Sequence, residues 1–146
     1  MKRKYAEDLP YWKTGRSADK ALTEAKNAIE KSGGKITGEG YGMVNGEGAY
    51  FLQFTMQGDE FRFVEPVMRS RAGNETAAKI QAAASLKHAI KARVNEALRH
   101  GARRAFIGSL ILPDGRTVNQ QDTTALVKLF SPSPRPLLVE GELMED

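Results

Sequence analysis

Residues 36–66 read ITGEGYGMVNGEGAYFLQFTMQGDEFRFVEP, and the period of two in this stretch decides the fold. Polar and apolar side chains alternate through three runs, separated by the turn signals Asn45-Gly46-Glu47-Gly48 and Gly58-Asp59. The pattern predicts an antiparallel meander with strands over 36–44, 49–57 and 60–67. A two-residue turn at Gly58-Asp59 pairs Gln57 with Glu60, Met56 with Phe61, Thr55 with Arg62 and Phe54 with Phe63. Leu52, Phe54, Met56, Phe61 and Phe63 then share the core face, while Phe51, Gln53, Thr55, Arg62 and Val64 share the other. A three-residue first turn sets Ile36, Gly38, Gly40, Gly42 and Val44 against the core and turns Thr37, Glu39, Tyr41 and Met43 outward; a one-residue slip buries Tyr41 instead. Inward glycines let a helix lie close to the sheet.

Outside the meander the period changes to that of a helix. Residues 17–32 carry Ala18, Ala21, Leu22, Ala25 and Ile29 on one stripe, with Ser17 as N-cap and Gly33-Gly34 as the stop. Asn74 caps a long helix that ends near His100-Gly101, with Ile80, Ala83, Leu86, Ile90, Val94 and Ala97 inward. Lys79 and Arg93 lie along one margin of that stripe, and Lys87 and Lys91 along the other. A short helix over 102–112, with Phe106, Ile107, Leu110 and Ile111 inward, runs to a turn at Pro113-Asp114-Gly115. A further short helix or irregular segment lies in 118–130. The fold class is α+β: an antiparallel sheet of three or more strands backed by helices, in the order α-β-β-β-α-α. Residues 1–16 form a basic aromatic arm, 17–130 the domain, and 131–146 a Pro-rich linker with an acidic, apolar tip.

The 146 residues fit one domain, and the absence of cysteine excludes disulfides, thiolate chemistry and cysteine-ligated zinc. No signal-peptide or membrane-spanning pattern is evident, which predicts a cytoplasmic protein without membrane association. The net charge of +4 hides an asymmetry. Residues 137–146 hold Glu140, Glu142, Glu145 and Asp146 and no cation, leaving 22 basic against 14 acidic side chains elsewhere, a body of +8. Such a body favours a polyanionic partner.

Leu52–Pro66, then Ile90-Lys-Ala-Arg93 and Leu112-Pro-Asp-Gly-Arg-Thr-Val118, resemble segments of a family of small tailed-phage and prophage proteins. Order and spacing are similar over roughly residues 17–120, although the loop before the long helix is shorter here. The resemblance implies a phage setting, hence replication, recombination or defence evasion. The Pro-rich linker with its tip Gly141-Glu-Leu-Met-Glu-Asp146 is similar in composition to the tails of single-stranded DNA-binding proteins. That likeness implies recruitment of a replication or recombination protein. The α-β-β-β-α order also matches a double-stranded RNA-binding domain, but that family's lysine cluster at a helix terminus is not evident.

Catalytic chemistry finds little support. His88 and His100 are too far apart for an (i, i+4) metal pair, Glu60, Glu65 and Asp114 are scattered, and Gly38-Glu-Gly40-Tyr-Gly42 precedes no helix N-terminus that would make it a phosphate loop. No enzyme activity, cofactor or metal is predicted. Basic residues interleaved with aromatics carry more weight, because single strands are held by cations along the phosphates and aromatic faces under the bases. The nominated nucleic-acid site is Trp12, Lys13 and Arg16 of an arm folded over the outer sheet face, Tyr41 and Phe51 as cross-strand neighbours, Gln53 and Arg62 beside them, and Lys87 and Lys91. Trp12 serves equally as an anchor pinning the arm. Tyr41 and Phe51 serve equally as a second apolar layer or a homodimer interface, and the rival to nucleic-acid binding is a protein-interaction module or host-enzyme inhibitor. Arg99, Arg103 and Arg104 cluster where the long helix ends and suit either a phosphate contact or, slightly favoured, a helix dipole.

Overall fold

The computed structural model describes residues 4–15, 17–44 and 46–121, Val44 by its backbone alone. Helix α1 spans Ala18–Lys31. Strands β1 (Lys35–Val44), β2 (Glu47–Met56) and β3 (Asp59–Pro66) follow, then helices α2 (Glu75–His100) and α3 (Ala102–Ala105). The three strands form an antiparallel sheet in the order β1-β2-β3, and both long helices lie on one of its faces. The α+β architecture expected from the sequence is therefore present. Arg16 and residues 122–146, including the expected linker and acidic tip, lie outside the described residues.

Both long helices begin and end where local chemistry directs. Ser17 Oγ accepts from the Lys20 N–H at 3.1 Å and Asn74 Oδ1 from the Ala77 N–H at 3.0 Å, each satisfying a donor the first turn leaves free. Gly33, at φ +91°, closes α1: its N–H donates to Glu30 and that of Gly34 to Ile29, a Schellman ending. Glu24 of α1 meets Lys87 and Lys91 of α2, and Ser17–Asp19 share a shallow pocket with Thr76 and Ile80. The two helices therefore run parallel. The core between helices and sheet holds Ile29, Leu52, Phe54, Met56, Phe61, Leu86, Ile90 and Phe106. Phe54, Phe61 and Phe106 pack as three mutually contacting rings, with centroids 5.1–5.6 Å apart, and each buried ring contributes about 1.5–3 kcal/mol by leaving water.

Both hairpin registers differ from expectation, with opposite consequences. In the second hairpin Met56 pairs with Asp59, Gln53 with Arg62 and Phe54 with Phe61, so the turn is Gln57-Gly58 and the register moves by two. An even shift keeps every side chain on its face. The turn requires positive φ at both positions, and Gln57 adopts +52°. Its side chain is held in return: Oε1 accepts from the Ala102 N–H at 2.7 Å, across the α2–α3 junction.

In the first hairpin Val44 pairs with Glu47, and a bulge lies between Ile36 and Gly38. Ile36 opposes Phe54, but beyond the bulge Glu39 opposes Leu52 and Tyr41 opposes Tyr50, while Gly38, Gly40 and Gly42 oppose Gln53, Phe51 and Ala49. The extra residue inverts the strand. The glycines therefore floor the outer face, and Glu39, Tyr41 and Met43 lie on the helix side.

The expected helix over 102–112 is only partly formed. α3 stops at Ala105, a 3-10 turn covers Ile107–Ser109, and Leu110 then bridges Phe61 while the Ile111 N–H donates to the Glu60 carbonyl. This short extended segment guards the free edge of β3 and leaves Ile107 exposed and not inward. The expected turn at Pro113-Asp114-Gly115 forms, with Gly115 at φ +84°. A last 3-10 turn covers Val118–Gln120. No helix among the described residues is long and apolar enough to cross a membrane.

Candidate nucleic-acid interface

The outer face of the sheet carries no helix among the described residues. The pairing brings Phe51, Gln53 and Arg62 together there, three of the nine nominated residues, with Thr55 and Val64 beside them. Phe51 lies directly across Gly40: a Cβ built at Gly40 would sit 2.8 Å from the ring, so the missing side chain is what lets the ring lie flat on β1. Gly38 and Gly42 extend this bare backbone strip to either side. Lys35, opposite Thr55, adds an exposed cation at one end.

The polar groups of this face are linked. Arg62 Nε donates to Gln53 Oε1 at 3.2 Å, Arg62 Nη1 to the Gly115 carbonyl at 3.2 Å, and Gln53 Nε2 to Glu60 at 3.1 Å. Two of the guanidinium's five donors are thereby engaged by described residues. Gly115 also brings the neighbouring Arg116, paired with Asp114, to the margin of the face.

Tyr41 is not part of this surface. It meets Tyr50 edge-on at 5.1 Å, Lys79 Nζ lies 4.5 Å above its ring, and its phenol end rests on Gly48. It lines a groove of about 300 Å3 between the first hairpin and the start of α2, together with Met43, Arg69 and Lys79. Glu47 and Glu75 also line the groove, so its two cations are balanced and it has no excess attraction for an anion.

The arm folds away from the sheet face, contrary to expectation. The Ala6 N–H donates to the Arg69 carbonyl, Gln81 Nε2 donates to the Pro10 carbonyl at 2.8 Å, and Tyr11 stacks on His88 with centroids 4.2 Å apart. It therefore covers the side of α2 that carries Gln81 and His88, opposite the core stripe of Leu86, Ile90 and Ala97. Trp12, half-buried, and Lys13, exposed, ride with it on the far side of the molecule from Phe51. The latch is Glu7. Ser70 Oγ donates to it at 2.6 Å, and the Arg71 and Ala72 N–H groups at 2.8 and 3.1 Å. The Ser70 bond, supported by the two backbone donors, lowers its carboxyl from 4.5 to about 2. No sequence signal singled out Glu7, because its partners are more than sixty residues away.

Lys87 and Lys91 both approach Glu24 Oε1 at 3.6 Å, and the Lys87 side chain is only 8% exposed. They belong to the seam between the helices and not to the sheet face. Arg103 is likewise committed to Asp59, at 2.7 Å. Glu65, half-buried between β3 and α2, accepts from Ser85 at 3.3 Å; burial raises its pKa, against the Ser85 bond and Arg93. No cluster of three His, Cys, Asp or Glu side chains suited to a metal ion occurs among the described residues. No family model, curated protein or solved structure matches this chain.

Proposed function

We propose that this is a nucleic-acid-binding protein that holds a single strand along the open sheet face, in phage or prophage DNA metabolism. The observation that carries this reading is the Phe51 ring beside a strip of bare glycine backbone, with Lys35, Arg62 and Arg116 around it. A base stacks on an aromatic face without regard to its identity, and a floor without side chains lets the sugar-phosphate chain come down to the sheet. Trp12, Lys13, Tyr41, Lys87 and Lys91 have no part in it. The phage setting rests on the family resemblance, and recruitment of a replication or recombination protein on the tail composition.

Fluorescence anisotropy with labelled single- and double-stranded oligonucleotides at two salt concentrations tests the proposal. Salt-sensitive binding that prefers single strands supports it. Phe51→Leu keeps the apolar packing but removes the ring face, and the expected loss is about 1–3 kcal/mol, on the order of ten- to hundredfold in Kd. One observation favours a second reading: the bonds among Arg62, Gln53 and Glu60 already satisfy much of the face internally, as suits a protein partner. Absence of binding to any oligonucleotide at low salt supports that reading.

A further inference from the structure

A strand at the edge of a sheet exposes a row of unpaired N–H and C=O groups, and proteins defend such edges with prolines, lysines, bulges or a covering segment. β3 is covered by Leu110–Ile111. β1 is the other edge of the sheet, ten residues long and without proline. Lys35 and the bulge defend only its beginning. From Gly38 to Val44 no other described residue pairs with the edge, and two of the large apolar side chains most exposed in the molecule, Tyr41 and Met43, lie on this stretch.

From this we infer that β1 pairs antiparallel with β1 of a second copy, joining two three-stranded sheets into one of six strands about a two-fold axis at Gly40. An antiparallel backbone edge is complementary to itself, as a two-fold interface requires. Centring on Gly40 pairs Gly38–Gly42 with its equivalent, the stretch that lies clear of the bulge at Ile36/Gly38. On the outer face Gly38 opposes Gly42 of the second copy and Gly40 opposes its equivalent, so nothing obstructs the approach. On the helix side Glu39, ion-paired with Lys26 of its own chain at 2.7 Å and still 46% exposed, opposes Tyr41 of the other copy, over which that copy's Lys79 lies. Each Glu39 carboxylate thus meets a second cation across the axis, twice by symmetry. The joined sheet spans about 24 Å across its strands, with the two Phe51 backbones about 14 Å apart and their rings leaning toward each other over a common glycine floor.

Mass and cross-linking test this without any oligonucleotide, so the outcome is independent of the proposed function. Sedimentation equilibrium of the full chain is expected to give twice the chain mass, and Glu39→Lys, which makes both cross-dimer approaches like-charged, is expected to give a monomer of unchanged circular dichroism. The chain has no cysteine, and Gly38 and Gly42 both accept a Cβ: the nearest atom to Gly38 is Gln53 Cβ at 3.6 Å, and Gly42 meets nothing within 4 Å. The double variant Gly38→Cys/Gly42→Cys, oxidised with diamide, is expected to form a covalent dimer. The two positions within one chain are about 13 Å apart along the strand, too far for an internal bond. A monomer at every concentration overturns the inference, as does a dimer in which the double variant fails to cross-link. Protected β1 amides in a monomer overturn it too, by showing that the chain covers its own edge.

Discussion

Two carboxylates with opposite shifts give the molecule its sharpest pH signatures. Glu7 is lowered to about 2 by the Ser70, Arg71 and Ala72 donors. Its contribution to docking the arm is therefore complete above the ordinary carboxylate value of 4.5 and is lost as pH falls from there through about 2. Trp12, the only tryptophan, reports the arm directly. Its fluorescence is expected to change over that acid window in the natural chain, and in Glu7→Ala to show the released arm already at neutral pH. Asp8, lowered by the Tyr5 N–H and Arg71, titrates in the same direction, so the comparison between the two chains isolates Glu7. Glu65 works the other way: burial raises its pKa, so its contribution is fully present below its unfolded value and is lost as pH rises through the folded one. Glu65→Gln is expected to be more stable than the natural chain at neutral pH and to converge with it in acid, as read by urea titration at both pH values.

Among the elements, those fixed by local chemistry were legible in the sequence and those fixed by distant contacts were not. Ser17, Asn74, Gly33 and Gly101 delimit two helices through bonds reaching a few residues, and the amino-acid pattern alone locates them. The side on which Tyr41 lies depends on one extra residue at the Ile36/Gly38 bulge. Nothing local marks it, since a glycine-rich strand with no strong alternation specifies its register weakly. Of the candidate site, Phe51, Gln53 and Arg62 were legible because β2 and β3 alternate strongly; the glycine floor was read on the wrong face. Gln57 shows why the second turn was misplaced. A glutamine at positive φ is uncommon, and here the side chain answers a donor forty-five residues away, at Ala102. Gln57→Ala keeps the awkward backbone and loses that bond, at an expected cost of about 1–3 kcal/mol. Gln57→Gly loses the same bond but relieves the backbone, and is expected to recover about 1 kcal/mol of it. Urea midpoints of the two variants separate the contributions.

At the scale of the whole molecule, the charge counted in the sequence overstates the charge available to a ligand. The body is +8, yet Lys26 is paired with Glu39, Arg71 with Asp8, Lys87 and Lys91 with Glu24, and Arg103 with Asp59. Lys13, although exposed, lies with the arm on the side away from the open face. Among the described residues, Lys35 and Arg62 are the cations placed on that face outside these ion pairs, while Arg116, at its margin, is paired with Asp114. Each phosphate neutralised on a single strand contributes about −0.7 to the slope of log K against log salt, so two give a slope of about −1.4 per protomer, or about a sevenfold loss between 50 and 200 mM salt. Lys35→Ala is expected to reduce the slope by about 0.7 while leaving stability unchanged. A slope several times steeper, unaffected by Lys35→Ala and reduced by Lys13→Ala, would mean that the strand lies on the basic arm and not on the sheet. Since both surfaces belong to one folded chain and stand on opposite sides of it, the salt slope and the two alanine variants together decide which face the nucleic acid occupies.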